Sequence, residues 1–171
     1  MEKRLSAIVA IAQDGAIGRR GELLCHLPAD LRHFRLLTTG HTVIMGRRTA
    51  DSLPKGALPD RQNIVVTRSG RYSRPGFVVA DSLEQAVQMA DNPGEIFVIG
   101  GAQIYAMALE QVTTLHVTLI HHRFDDADVF FPDINADEWV QLEREDHAAD
   151  EKNPYDYSFV TLWRISPEQD R

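Results

Sequence analysis

Short apolar runs that alternate with helix-like segments are the feature that most constrains the fold of this chain. Apolar, strand-like runs occupy residues 5–12, 42–45, 63–67, 77–80, 96–99 and 115–120. Between them, helices are predicted at residues 28–38, 82–90 and 102–109. Because strand–helix–strand units connect parallel strands of one sheet, this order predicts an α/β protein in which helices cover both faces of a mainly parallel central sheet.

The C-terminal part of the chain has a different pattern. Residues 139–144 and 155–165 alternate apolar and polar side chains, which is typical of antiparallel strands with one face in water. We expect them to extend the sheet as an antiparallel C-terminal edge. The 171 residues contain no internal repeat, linker or low-complexity segment, so we predict a single domain over residues 1–171.

Composition argues against several classes of protein. Hydrophobic residues make up 43% of the chain, yet no apolar run approaches the roughly 20 residues of a membrane helix, and we expect no signal peptide. The single cysteine, Cys25, excludes an internal disulfide and a cysteine zinc site. Adjacent His121 and His122 would point to opposite faces of a strand, so we expect no metal. We therefore predict a cytoplasmic monomer without membrane contacts.

Three segments should meet at the carboxyl ends of the strands, where open α/β sheets bind ligands. They are the loop over residues 13–27, the turn after Met45, and the pair Gly100-Gly101. Two glycines between a strand and a helix let the backbone approach a ligand, and the N–H groups that begin a helix attract phosphate. A plain tight turn is the alternative interpretation of the glycine pair.

Basic residues recur at the same predicted end of the sheet. Met45-Gly46-Arg47-Arg48-Thr49 places two arginines where a helix begins, although cations there oppose the helix dipole. Thr67-Arg68 adds a second basic corner. Because these residues stand at strand ends rather than in one tract, they fit a small polyanion such as a phosphorylated cofactor better than nucleic acid. Solvated surface arginines are the alternative.

Asp30 is the candidate acid of the site. It lies in the first turn of a predicted helix and shares an apolar stripe with Phe34 and Leu37, four and seven residues further on. A carboxylate on an apolar cleft wall would have a raised pKa and a functional role. The alternative is that Asp30 only complements the helix dipole.

A series of motifs runs over nearly the whole chain. It begins with Ile8-Val9-Ala10, Asp14-Gly15-Ala16-Ile17-Gly18, Leu27-Pro28-Ala29-Asp30-Leu31 and Phe34. It continues with Val43-Ile44-Met45-Gly46-Arg47, Thr49, Leu58-Pro59-Asp60-Arg61-Gln62-Asn63, Ile99-Gly100-Gly101-Ala102-Gln103-Ile104-Tyr105, Thr118 and Phe131-Pro132. In this order and spacing, the motifs resemble the dihydrofolate reductase family in its bacterial chromosomal form. The resemblance implies reduction of dihydrofolate by NADPH, with hydride passing from nicotinamide C4 to pterin C6 and a proton reaching N5.

The resemblance also implies residue roles. Asp30, with Thr118 behind it, would hold the pterin, Leu23 would close the active-site loop over the reaction, and Arg61 would pair with the glutamate carboxylate of the substrate. Other substrate contacts would come from Ile8, Val9, Cys25, Leu31, Phe34, Leu53, Leu58, Ile99 and Tyr105. NADPH would contact Ala10, Ile17, Gly46, Arg47, Arg48, Thr49, Thr67, Arg68, Gly100, Gly101, Ala102, Gln103 and Ile104. The expected partners are dihydrofolate and antifolate inhibitors.

Three positions depart from the family pattern, and two alternatives stay open. Cys25 stands where the family usually has tryptophan, Ala50 where a bulky aromatic is common, and Gln103 where a basic residue is frequent. One alternative is a reductase of a ribosylaminopyrimidine in riboflavin synthesis. The other is a non-catalytic nucleotide-binding relative.

Overall fold

The computed structural model describes residues 3–91 and 94–165. The strands are β1 (Arg4–Ala12), β2 (Ala16–Gly18), β3 (Thr42–Gly46), β4 (Gln62–Val66), β5 (Phe77–Ala80), β6 (Glu95–Gly100), β7 (Thr114–Ile120), β8 (Val129–Phe130), β9 (Trp139–His147) and β10 (Tyr157–Arg164). The helices are α1 (Pro28–Thr38), α2 (Arg47–Ser52), α3 (Leu83–Met89) and α4 (Ala102–Ala108), with a 3-10 turn at Ala136–Glu138.

The main sheet confirms the predicted α/β architecture. Its eight strands lie in the order β5-β4-β3-β6-β1-β7-β10-β9. The strands from β5 to β7 along this order pair in parallel. The last two are antiparallel: β10 pairs with β7, and β9 pairs with β10 to form the edge.

The helices lie on both faces of the sheet, as predicted, because successive side chains of each central strand point to opposite faces. On one face, Val9 and Val98 pack in the cluster that contains Leu83 of α3 and Ala108 of α4. On the other, the buried cluster is joined by two side chains of α1. It contains Ile8, Val43, Met45, Ala50, Val65 and Phe97, with Phe34 and Leu37 packed against it.

Several predicted boundaries are wrong at the ends of elements. β9 runs three residues beyond the predicted end at 144, and β10 begins at Tyr157 instead of residue 155. Most of β9 is exposed, so its hydrophobic pattern fades before the strand ends. The predicted loop over residues 13–27 contains the three-residue strand β2, which pairs with β8 and is too short for a periodic signal.

The helix cap at α3 matches its prediction in part. The Ser82 hydroxyl accepts a hydrogen bond from the Gln85 N–H at 3.0 Å, as the capping box requires. The Gln85 side chain, however, accepts from the N–H of Asp81 at 2.6 Å, one residue before the cap. Within the described ranges, no helix is long and apolar enough to cross a membrane.

Candidate functional site

Asp30 and Thr118 form the polar centre of the site. Pro28 begins α1 and places Asp30 in its first turn, while Thr118 lies in β7 beside Ala10 of β1. The Thr118 hydroxyl donates to Asp30 Oδ1 at 2.6 Å, and Thr118 is buried. Burial raises the pKa of Asp30 above its ordinary value, and the Thr118 hydrogen bond opposes that rise. Asp30 thus sits in an environment unlike that of a solvated carboxylate at a helix start.

An apolar wall adjoins this carboxylate. The buried cluster beneath α1 brings together five of the side chains proposed for the substrate, namely Ile8, Phe34, Leu53, Leu58 and Ile99. Leu31 is 44% exposed at the edge of this wall. The Val9 side chain packs in the cluster on the opposite face, so it cannot line the same wall. The Val9 side chain therefore points away from this wall, because adjacent residues of a strand point in opposite directions, and a contact between Val9 and the substrate stays a prediction.

Arg61 is held at the far end of α1. Its Nε donates to the Pro59 carbonyl at 2.8 Å and its Nη1 donates to Oγ1 of Thr38, the last residue of α1, at 3.1 Å. Burial lowers the pKa of Arg61, and nearby Arg35 adds to this effect. The loop before Arg61 is supported by buried Asn63, whose amide exchanges two hydrogen bonds with the backbone of Leu58. These bonds fix the orientation of the guanidinium group.

The glycine turn lies against the start of α2. Gly100 has a φ of +135°, and a Cβ there would lie 3.3 Å from Thr49 Oγ1 and 3.6 Å from Tyr105 Oη. A Cβ on Gly46 would lie 3.1 Å from Cγ1 of Ile104. The ends of β3 and β6 and the starts of α2 and α4 therefore meet, as the sequence predicts. The buried Tyr105 hydroxyl donates to the Ile8 carbonyl at 2.7 Å, which links this turn to the apolar wall.

The basic residues follow the same ends of neighbouring strands. Arg47 and Arg48 begin α2 and are exposed. Thr67 and exposed Arg68 follow β4, whose last residue pairs with Gly46 of β3. Ala102 and exposed Gln103 begin α4.

Arg74 is a supporting residue that the sequence analysis missed. Its Nη1 donates to the Ala50 carbonyl at 2.7 Å, and its guanidinium lies over the Phe77 ring at 5.5 Å. Tyr72, from the same connection between β4 and β5, donates to the Asp51 carboxylate at 3.0 Å. Both contacts tie this connection to α2, and no local pattern predicts a pairing across more than 20 residues.

The loop over residues 13–27 is tethered to the segment around β8. Arg19 Nη1 contacts the Asp126 carboxylate at 3.0 Å, and the Arg20 N–H donates to the Asp128 carboxylate at 3.2 Å. Complementary charge in the runs that contain these residues is a signal that could have revealed the tether. Ile17, in β2, packs against the cluster that contains Tyr105. Leu23, expected to close over the reaction, is 69% exposed.

Cys25 lies in this loop, three residues before α1. It is partly buried and packs against the buried cluster that contains Leu24 and Leu27. Burial and the nearby Asp30 charge raise the pKa of the thiol to about 11, although Arg19 lowers it. Within the described part of the chain, no group of three or more His, Cys, Asp or Glu side chains is arranged to hold a metal ion.

Comparisons with known proteins agree with this geometry. The family model described as "Dihydrofolate reductase" matches residues 4–164. The dihydrofolate reductase of Staphylococcus haemolyticus is 39% identical over 95% of this chain and 96% of its own length. The type 3 enzyme of Salmonella typhimurium is 42% identical, over 94% of this chain and 98% of its own.

A solved structure agrees as well. Dihydrofolate reductase from Enterococcus faecalis, complexed with NADP(H) and RAB-propyl, superposes with a TM-score of 0.89 at 32% identity. The superposition covers 95% of this chain and 97% of that one. The family model spans far more than half of the chain, and both curated relatives are well above 30% identical. This chain belongs to the dihydrofolate reductase family.

Proposed function

We propose that the cleft between α1 and the carboxyl ends of β1 and β6 is where this protein, as a dihydrofolate reductase, binds dihydrofolate beside NADPH. The observation that carries the proposal is the partly buried Asp30 carboxylate, which accepts a hydrogen bond from Thr118 at 2.6 Å next to an apolar wall. A pterin offers an amino group and a ring N–H to such a carboxylate and an apolar ring to such a wall. Family membership removes both alternatives considered from the sequence.

The substrate would span the length of α1. Asp30 would hold the pterin amino group and N3, while Ile8 and Phe34 would contact the rings. At the other end of the helix, Arg61 would pair with the glutamate carboxylate, since a guanidinium held in one plane matches a carboxylate through two parallel hydrogen bonds. Antifolate inhibitors that carry a similar amino-substituted ring would occupy the same cleft.

The residues around the glycine turn fit a dinucleotide. A Cβ at position 100 would fill the space beside Thr49 and Tyr105, so the glycine keeps that space open. The starts of α2 and α4 present backbone N–H groups suited to a pyrophosphate. Thr49 and the turn from Gly100 to Gln103 would hold the pyrophosphate of NADPH. Arg47, Thr67 and Arg68 would contact the 2′-phosphate, and Ala10, Ile17 and Tyr105 would contact the nicotinamide.

The chain contributes mainly orientation to the reaction. NADPH supplies the hydride, which leaves nicotinamide C4 and reaches C6 of the pterin. Asp30 orients and polarises the pterin so that N5 takes a proton, which we propose comes from water. The tethered loop that contains Leu23 would exclude further water once both ligands are bound. We further propose that the protein acts as a single-domain monomer in the cytoplasm, as family membership suggests.

Purified protein is expected to oxidise NADPH only when dihydrofolate is added. The measurement is the loss of NADPH absorbance at neutral pH, with each ligand omitted in turn as the control. A protein that binds NADPH but shows no dihydrofolate-dependent loss of absorbance would contradict the proposal.

Truncating Arg47 is expected to weaken use of NADPH selectively. Loss of a charge-assisted contact to the 2′-phosphate should lower kcat/KM for NADPH roughly 10- to 150-fold, which corresponds to about 1.5–3 kcal/mol of lost transition-state stabilisation. Arg47→Ala should change kcat/KM for NADH little, because NADH lacks that phosphate. Arg71→Ala, an exposed arginine outside the proposed site, is the matched control. Equal losses with both cofactors would show that Arg47 does not read the phosphate.

The thiol of Cys25 is expected to react slowly but to be protected by ligand. With its pKa raised from 9.0 to about 11, the thiolate fraction at neutral pH falls about 100-fold below that of an ordinary thiol. Maleimide labelling at neutral pH should therefore be slow and should accelerate as the pH is raised, and a bound folate analogue should slow it. Labelling should also block turnover. If the analogue leaves the labelling rate unchanged, Cys25 does not line the folate cleft.

A further inference from the structure

The helix that carries Asp30 is capped by a residue far away in the sequence. Leu27, at the N-cap position of α1, makes no side-chain capping bond, and Pro28 has no N–H. The next free donor is the N–H of Ala29, which donates to Asn153 Oδ1 at 3.0 Å. An unpaired N–H at a helix start is normally satisfied by the cap residue itself. Here the acceptor comes from the connection between β9 and β10, which we name the 148–156 segment.

Asn153 is itself held firmly. It is 5% exposed, and its Nδ2 donates to Asp150 Oδ1 at 3.0 Å. The same oxygen accepts the backbone N–H groups of Asn153 at 2.7 Å and Lys152 at 2.9 Å. The Asp150 N–H donates back to the Asn153 carbonyl at 2.9 Å. Because the Nδ2 side of the amide faces Asp150, its Oδ1 side faces the Ala29 N–H of α1.

The 148–156 segment also contacts residues that follow β7. The Tyr155 ring lies 5.3 Å from the Phe124 ring and 4.4 Å from the His122 ring. Tyr155 packs against the same cluster as Cys25 and Ala29. This segment therefore braces the start of α1 against the rest of the molecule.

We infer that Asn153 is a positioning residue for the reaction: by capping the first turn of α1, it holds the Asp30 carboxylate beside Thr118, where the pterin binds. This inference rests on the proposed function. Ala29 is adjacent to Asp30, so movement of the first turn moves the carboxylate directly. Thr118 contacts the carboxylate alone and leaves the helix backbone free, whereas Asn153 fixes that backbone.

The test compares variants with matched controls. Asn153→Ala removes the acceptor, and Asp150→Ala releases the Asn153 amide without touching α1. Asp150→Asn keeps an oxygen that can accept the same bonds, and Lys152→Ala leaves the backbone N–H in place. Steady-state KM and kcat are measured for dihydrofolate and for NADPH, well below the melting temperature of each variant. Hydrogen exchange of the Ala29 amide reports the cap directly.

Asn153→Ala is expected to lower kcat/KM for dihydrofolate about 10- to 100-fold, because a small misplacement of a reacting group has effects of this size. The KM for NADPH should stay unchanged, and exchange at Ala29 should accelerate. Asp150→Ala should act in the same direction but less strongly, and it carries the test if Asn153→Ala does not fold. The two control variants should resemble the wild type.

Two results would overturn the inference. One is faster exchange at Ala29 with unchanged constants for dihydrofolate, which would make Asn153 a structural cap only. The other is a rise in the KM for NADPH equal to the rise in the KM for dihydrofolate, which would indicate general destabilisation. A wild-type protein without turnover would instead disprove the proposed function, and the inference with it, so the two failures are distinguishable.

Discussion

Asp30→Asn is expected to lower kcat/KM for dihydrofolate by about 100- to 1000-fold at neutral pH, a loss typical of removing a key electrostatic group from an active site. Asparagine has the shape of aspartate and can still accept the Thr118 hydrogen bond, but it carries no charge to hold and polarise the pterin. The measurement is steady-state turnover over a range of dihydrofolate concentrations. If Asp30 only complemented the helix dipole, the change would alter stability by about 0.3–1 kcal/mol and leave turnover normal.

The same substitution separates function from stability. Burial raises the pKa of Asp30, so the folded state holds the proton more tightly than the unfolded state. Stability linked to this group is therefore present at pH below its unfolded pKa and is lost as the pH rises through the raised folded pKa. Asp30→Asn should remove that loss, so the melting temperature at neutral pH should be equal or higher. A clear fall in melting temperature would show that the charge stabilises the fold.

Phe97→Ala is expected to be the most destabilising of these substitutions, at about 3–5 kcal/mol of unfolding free energy. The side chain is fully buried beneath α1, in the cluster that supports the apolar wall. Its ring lies 5.5 Å from the ring of His41 and 5.6 Å from that of His116. Truncation should leave a cavity that these rigid neighbours cannot fill. The melting temperature should fall by about 6–20 °C, measured by circular dichroism.

Ile96→Val provides the control for Phe97. Ile96 precedes Phe97 on β6, is equally buried, and packs on the opposite face of the sheet. Ile96→Val should lower the free energy of unfolding by only about 0.5–1.5 kcal/mol and leave the KM for dihydrofolate unchanged. Phe97→Ala should raise that KM as well, because Ile8 and Phe34 pack in the same cluster. A stability loss no greater than that of Ile96→Val would mean that the core refills the cavity.

The parts of the site that the sequence predicts are those with a local signal. The turn from β6 into α4 combines an apolar run with two glycines, and the start of α1 combines Pro28 with an apolar stripe. Both were confirmed because the local pattern and the tertiary packing agree. The sequence also predicts that the turn after Met45 lies near Gly100-Gly101, since parallel strands bring their carboxyl ends to one edge, and the closeness of Gly46 to Ile104 of α4 agrees with this prediction.

The contacts that sequence reasoning missed are long-range polar ones. Asn153 and Ala29 are separated by 124 residues, and Arg74 bonds to a carbonyl 24 residues away. Hydrophobic periodicity does not encode which polar side chain reaches which backbone group. The opposite directions of Ile8 and Val9 have another origin: a motif names adjacent residues together, whereas the strand sends their side chains to opposite faces.

The strand order has a consequence for how the protein is made. β1 is synthesised before the other described strands, yet it lies between β6 and β7, which are synthesised some 90 to 110 residues later. In the described part of the chain, the far edge of β7 pairs with β10, which follows every other described strand in the sequence. Pairing between strands that lie so far apart in the sequence slows folding and leaves apolar strands unpaired during translation. Nascent chains that end after β9 would expose the backbone of β7 to one another and are expected to aggregate, so productive folding requires that β10 has been synthesised.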